Sequence, residues 1–290
     1  MIRNSKIIAT IGDATDKVLR KIVEGAADAV LIDSYYGSNE QNVERIEKVK
    51  ALREEVGRDL AIIYDVDHIY AKNKYKLIRI DEENVDFACV NDVDFVACPF
   101  VGNLDEITKV KELIKSYGKN IGIIVKIDCK DGYDNLDDIL EISDAIMINR
   151  DELGVDISYE DLPGIQKEIV RRANEAAKVV ILTTQMLYSM VYNPRPTRAE
   201  VSDVANAIFD GVDAVMLTEE TAIGDYPCEA LETVDRIIRT VEKNNAVDAE
   251  RFEVAEYKMS ISHAVSMTTK HLLEAVDVKN IVTYTKSGTT

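Results

Sequence analysis

The chain is short of the residues that most often mark a site. Its four cysteines, Cys89, Cys98, Cys129 and Cys228, lie far apart without CxxC spacing, which argues against a disulfide framework or a zinc cluster. Reduced thiols in a cytoplasmic protein are the expectation. The three histidines, His68, His263 and His271, form no ligand cluster, so surface or helix-face roles are expected of them. No apolar run reaches the ~20 residues needed to span a bilayer. The opening MIRNSKIIATIG reads as a strand rather than a signal peptide, so no membrane partner is expected. Positive charge is also scarce: 35 Lys and Arg stand against 53 Asp and Glu, for a net charge of −18. That balance repels a phosphate backbone and argues against nucleic acid as a partner. The acids are dispersed rather than blocked, which speaks against an acidic disordered tail.

What is present is a rhythm. The 290 residues are 46% apolar, ample for a large core. Eight short β-branched runs, SKIIATIG, DAVLIDS, LAIIYDV, VDFVACPF, IGIIVKID, DAIMINR, KVVILTT and VDAVMLTE, alternate with amphipathic stretches such as NVERIEKVKALREEVG and LPGIQKEIVRRANEAA. Eight β-α units predict parallel strands with crossover helices, and closing them into a (β/α)8 TIM barrel buries all eight at once. The spacing is regular except after the third strand, where HIYAKNKYKLIRI is inserted. The barrel is expected over residues 1–243. Residues 244–290 read as a polar linker, a helix over 258–277 and a strand from 279 that ends in a Ser-Gly turn. Such a strand would have an unpaired edge for a partner chain to cover.

Functional side chains of a (β/α)8 barrel gather at the carboxyl ends of its strands. Here those ends supply Thr10 and Gly12, Asp33, Asp65 and Asp67, Lys126 and Asp128, Asp151 and Glu152, Thr183 and Thr184, and Thr218 to Glu220. So many carboxylates around one mouth repel each other, and a divalent cation together with Lys126 is the physical remedy. Oxygen ligands suit Mg²⁺ or Mn²⁺. Lys126 and Asp128 are two residues apart and so face the same way off one strand. A metal site would use Asp128 and Glu152, with Lys126 beside it to stabilise developing negative charge. Asp151 and Glu152 stand equally well as acids at a helix start, where the helix dipole favours anions.

Several stretches resemble the pyruvate kinase family: KIIATIG at the start, VDFVACPF, KIDCKDGYDNLDDILEISDAIMINRDELGV, and TTQMLYSMVYNPRPTRAEVSDVANAIFDGVDAVML followed by ETAIGDYP. The resemblance covers essentially the whole chain and implies the family's catalytic barrel. The last helix and strand would then begin the family's C-terminal domain. By position, Lys126 resembles the lysine that stabilises the transferring phosphoryl group and the enolate. Asp128 falls where the family has a glutamate metal ligand, and Glu152 where it has an aspartate. Thr184 resembles the threonine that orients the substrate near the proton-transfer step. The backbone amides around Asp151 and Glu152 resemble the helix start that holds the pyruvate carboxylate.

Other positions depart from the family. Its Arg-Leu-Asn-Phe-Ser-His-Gly stretch is replaced by LIDSYYG, so the phosphate-gripping arginine is Leu31. Of the monovalent-cation (K⁺) positions, Asp65 is kept, while two others are Asp33 and Tyr35. The lid domain after the third strand is replaced by a short loop near 67–81. Together these departures predict that ordinary ATP-forming activity is weak or lost. Two expectations remain. In one, the barrel binds a dication and a 2-oxoacid or enolpyruvate ligand, with enolisation or decarboxylation retained. In the other, it is a non-catalytic homologue that assembles as a homo- or hetero-oligomer through the 193–211 region or the C-terminal strand.

Overall fold

The computed structural model describes residues 3–66, 68–70, 77–100 and 102–243, with only isolated positions between 265 and 276 beyond them. The chain divides into two units, Met1–Val247 and Asp248–Thr290. The helix and strand expected over 258–290 lie outside the described residues, except that Val265, Thr268, Thr269 and Leu272 are helical.

All eight apolar runs are strands. They are β1 (Lys6–Ile11), β2 (Ala29–Asp33), β3 (Ala61–Asp65), β6 (Phe95–Pro99), β7 (Gly122–Ile127), β8 (Ala145–Asn149), β9 (Val179–Thr183) and β10 (Ala214–Leu217). They close into a parallel barrel in the order β1-β10-β9-β8-β7-β6-β3-β2. The remaining two strands, β4 (His68–Tyr70) and β5 (Leu77–Ile80), pair antiparallel between β3 and β6 in the chain. The insert expected as a loop is therefore a small two-stranded ribbon. The helices are α1 (Asp13–Asp16), α2 (Leu19–Glu24), α3 (Asn39–Val56), α4 (Glu82–Val90), α5 (Leu104–Ser116), α6 (Lys130–Asp134), α7 (Leu136–Ile142), α8 (Arg150–Asp156), α9 (Leu162–Glu175), α10 (Arg198–Asp210), α11 (Glu219–Ala222) and α12 (Pro227–Lys243). Some of their ends follow ordinary capping chemistry. Ser38 and Gln41 form a capping box on α3, which ends at Gly57 in the left-handed region (φ 67°).

Side chains alternate across each strand, and the two faces build two cores. Outward residues such as Ile7, Val30, Ile62, Val125, Ile146, Leu182 and Val215 pack with the helices. Inward residues, among them Ile8, Leu31, Ile63, Ile124, Met147, Ile181 and Met216, fill the barrel itself. The same alternation sends Thr10, Asp33, Asp65, Lys126, Asn149, Thr183 and Thr218 inward as the last layer, at the carboxyl ends.

The opposite end carries a repeat of its own. An aspartate precedes every second barrel strand, and its carboxylate accepts a hydrogen bond from an amide of the strand before it. Asp28 accepts from Ile7 (2.9 Å), Asp94 from Ile62 (2.7 Å), Asp144 from Ile123 (2.8 Å) and Asp213 from Val180 (2.8 Å). Each aspartate amide in turn donates to the carbonyl of the same partner residue. Four such clasps fix the strand register at the amino end and leave the carboxyl end free for chemistry.

Candidate active site at the barrel mouth

A cavity of about 270 Å³ opens among the last-layer side chains. Its floor is apolar, made by Leu31, Met147 and Met216, and its wall carries Asp33, Asp65, Lys126, Asn149 and Glu152. Lys126 is the one cationic side chain among the described lining residues. Its Nζ lies 2.6 Å from Asp65 Oδ1, and both side chains are largely buried. Burial by itself would lower the lysine pKa. The Asp65 carboxylate and its hydrogen bond, reinforced by Asp128 and Glu152, outweigh burial and hold the ammonium above the ordinary lysine range. Lys126 is thus a fixed cation whose remaining protons are free for a ligand.

Asp128 follows the end of β7 and is buried at 5% exposure. Burial pushes its carboxyl up to about 7, against the pull of Lys126 and with Glu152 adding to the rise. Its Oδ1 is buried without a hydrogen-bond partner. Glu152, in the first turn of α8, is exposed over much of its surface, yet partial burial of its carboxyl raises its pKa despite the attraction of Lys126. Two carboxyls pushed toward their neutral forms beside one lysine would gain from a dication, which replaces the proton with a stronger charge. The donors are all oxygens, the set that suits Mg²⁺ or Mn²⁺. Among the described residues no group of three or more His, Cys, Asp or Glu side chains could hold a metal ion, so any completion of the shell comes from other oxygens.

The remaining expected residues fall in different places. Asp33 lines the cavity and accepts from the Tyr35 amide (2.8 Å). Asp151 is exposed, outside the cavity lining. Thr184 lines the cavity, but its hydroxyl is engaged with backbone. It donates to the Thr183 carbonyl (2.7 Å) and accepts from the amides of Arg150 (3.1 Å) and Asp151 (3.3 Å), so it caps α8 from outside that helix. Of the amides around Asp151 and Glu152 expected to meet a carboxylate, that of Asp151 is therefore already paired. Thr184 and Gln185 both have positive φ, 68° and 52°, a costly conformation for a β-branched residue and a common sign of a functional site. Asp67 lies outside the described residues.

Two contributors, Arg150 and Asn149, were not singled out by the sequence pattern, and Glu220, expected at the mouth, takes a supporting place there. Arg150 spans from α8 to α10, pairing with Asp203 (2.6 Å) while donating to the Thr184 carbonyl (2.6 Å). It thereby holds the strained turn. Glu220, fully buried, accepts from the amides of Leu187 and Thr218 (both 2.9 Å) and ties that turn to the end of β10. Asn149 stands inward at the tip of β8; strict period-two counting from Ala145 and Met147 is the signal that would have found it. Gly12 is required sterically, since a Cβ there would meet the Ala222 carbonyl oxygen at 2.4 Å.

The family model "Pyruvate kinase, barrel domain" matches residues 73–231. The chain is 43% identical over 211 residues to the pyruvate kinase of Thermotoga maritima, an alignment covering 72% of this chain and 44% of that protein. It is 44% identical over 212 residues to that of Bacillus licheniformis (72% and 36%) and 41% identical over 214 residues to that of Clostridium perfringens (72% and 45%). The matched part spans less than half the length of these relatives. No helix among the described residues is long and apolar enough to cross a membrane.

Proposed function

The chain belongs to the pyruvate kinase family, and we propose that its barrel mouth binds a 2-oxoacid or enolpyruvate anion together with Mg²⁺ or Mn²⁺, with ATP-forming phosphotransfer weak or lost. The observation that supports this most directly is the buried Asp128 carboxylate, whose Oδ1 has no hydrogen-bond partner and which feels both Glu152 and the fixed Lys126 ammonium. Asp128 and Glu152 would hold the dication, which when bound polarises the ligand oxygens as a Lewis acid. Lys126 stays protonated, so it acts as a donor to negative charge on an enolate oxygen, not as a base. The walls carry Asp33, Asp65 and Glu152 against one lysine. An anion therefore enters only with a cation, and ligand binding is expected to require the metal.

Weak phosphotransfer follows from the floor. Leu31 offers no charge where a phosphoryl group would need one, and removing one electrostatic donor commonly costs about 10²-fold or more. The chemistry left to such a site is enolisation or decarboxylation, neither of which needs a nucleotide. The reading includes a cytoplasmic setting, in keeping with four free cysteines, and assigns no role to K⁺ at Asp33 and Asp65, since Asp65 is occupied by Lys126.

Two assays test the proposal. A coupled assay with phosphoenolpyruvate and ADP is expected to show little or no turnover. NMR of pyruvate in D₂O is expected to show metal-dependent methyl exchange that Lys126→Ala abolishes. Full kinase turnover, or no exchange at high protein concentration, would sink it. A second reading, assembly without catalysis, draws on the exposed Val201 and Phe209 within 193–211 and Tyr188, Tyr192 and Ile223 nearby in sequence. Light scattering on the pure protein decides it, and a strict monomer speaks against it.

A further inference from the structure

Asn149 stands at the N-cap of α8, a position where asparagine is among the best residues, yet its side chain makes no capping hydrogen bond. Thr184 Oγ1 accepts from the first amides of the helix instead. The Asn149 side chain is thereby released inward, where it lines the cavity with its Oδ1 buried and unpartnered.

Its neighbours repeat the pattern. The register pairs Ile127 with Ile148 and Asn149 with Thr183, so Asp128, Asn149 and Thr183 stand side by side at the tips of three adjacent strands. Asp128 Oδ1 and Thr183 Oγ1 are also buried without partners. Thr183 is 1% exposed and Asp128 5%. Buried acceptors are nearly always paired in folded proteins. Three left open in a row at neighbouring strand tips, two of them lining the cavity, mark a place prepared for something that is not protein.

We propose that the side-chain oxygen of Asn149 is the third protein oxygen for the dication held by Asp128 and Glu152. This rests on the metal reading above. Hard dications accept amide oxygens as readily as carboxylates. Among the described residues no third acid, histidine or cysteine joins Asp128 and Glu152 in a set that could hold a metal ion, so an amide is the available completion. It also has the right charge. The wall already carries three acids against one lysine, and a further carboxylate would repel the anion that must bind beside the metal. An amide supplies an oxygen and adds no charge.

The test is a Mn²⁺ titration of the full chain at fixed pH, with free Mn²⁺ read from its EPR signal. Wild type, Asn149→Ala, Asn149→Asp and Asp128→Asn are compared, with thermal melts of each metal-free protein. Asn149→Ala is expected to weaken Mn²⁺ binding by about tenfold or more without lowering the metal-free melting temperature, because it deletes an unpaired acceptor. Asn149→Asp is expected to keep or tighten Mn²⁺ binding while weakening binding of oxalate, used as a 2-oxoacid mimic. Wild-type affinity in Asn149→Ala, with binding lost in Asp128→Asn, overturns this inference and leaves the metal reading standing. Failure of the wild type itself to bind Mn²⁺ overturns both. Loss in both Asn149 variants, with lowered melting temperatures, assigns the side chain to packing and overturns the inference as well.

Discussion

Lys126 and Asp65 set the electrostatics of the mouth. Both side chains are largely buried, and the Asp65 carboxylate helps to hold the Lys126 ammonium in its charged form. Asp65→Asn is expected to destabilise the protein by about 3 kcal/mol, the lower range for breaking a buried pair, and to lower the Lys126 pKa. Urea unfolding and lysine-selective NMR read the two effects. Leu31 is the other telling residue. Buried at the floor, it stands where a phosphate would need a cation. Leu31→Arg is expected to tighten binding of phosphoenolpyruvate about tenfold in the presence of Mn²⁺, since a hydrogen bond to a charged group contributes about 1.5–3 kcal/mol. Isothermal titration against wild type checks this, and unchanged affinity would mean that the phosphate lies elsewhere.

Among the elements, two devices divide the labour between the barrel ends. At the amino end the four aspartate clasps hold the strand register. Asp144→Ala leaves the Ile123 amide without its carboxylate and is expected to cost about 1–3 kcal/mol. Ligand binding at the far end should not change, and a urea melt with a parallel titration separates the two. At the carboxyl end, Glu200 closes the capping box of α10 on Thr197 and also accepts from the Ser189 amide (2.6 Å) and hydroxyl (2.5 Å). Burial would raise its pKa, but the hydrogen bonds from Ser189 and Thr197 prevail and hold it below the ordinary glutamate value of 4.5. A carboxyl depressed in the folded state adds stability that is fully present above 4.5 and is lost as pH falls through the folded value. Glu200→Gln should therefore reduce stability at neutral pH and flatten that part of the acid limb. Melting temperatures at pH 7 and pH 3.5 are the measurement, and an unaltered limb would remove Glu200 from the account.

For the molecule as a whole, the net charge of −18 and the acidic mouth act in the same direction. Both attract cations and both oppose a free anion. Mn²⁺ at 100 times its dissociation constant is expected to stabilise the folded state by about 2.7 kcal/mol, since it binds a site that exists only when the barrel is closed. A rise of several degrees in melting temperature that EDTA reverses would be the signature, whereas a melting curve indifferent to Mn²⁺ would contradict a metal site.

The barrel was legible from the pattern of residues alone. Period-two runs of Ile, Val and Ala separated by amphipathic helices leave few other ways to bury eight strands, and the same alternation pointed Lys126 and Asp65 into one mouth. The ribbon of β4 and β5 was less legible, because a short polar insert reads equally as a loop. Pairing between side chains far apart in sequence was decided only by the tertiary structure. Lys126 meets Asp65 across 61 positions, Thr184 takes over the cap that Asn149 would otherwise provide, and Asp151 turns outward while Glu152 lines the cavity. Periodicity fixes which face of a strand or helix a side chain occupies. Which neighbour satisfies it depends on the closure of the barrel, and so does which oxygen is left open for a ligand.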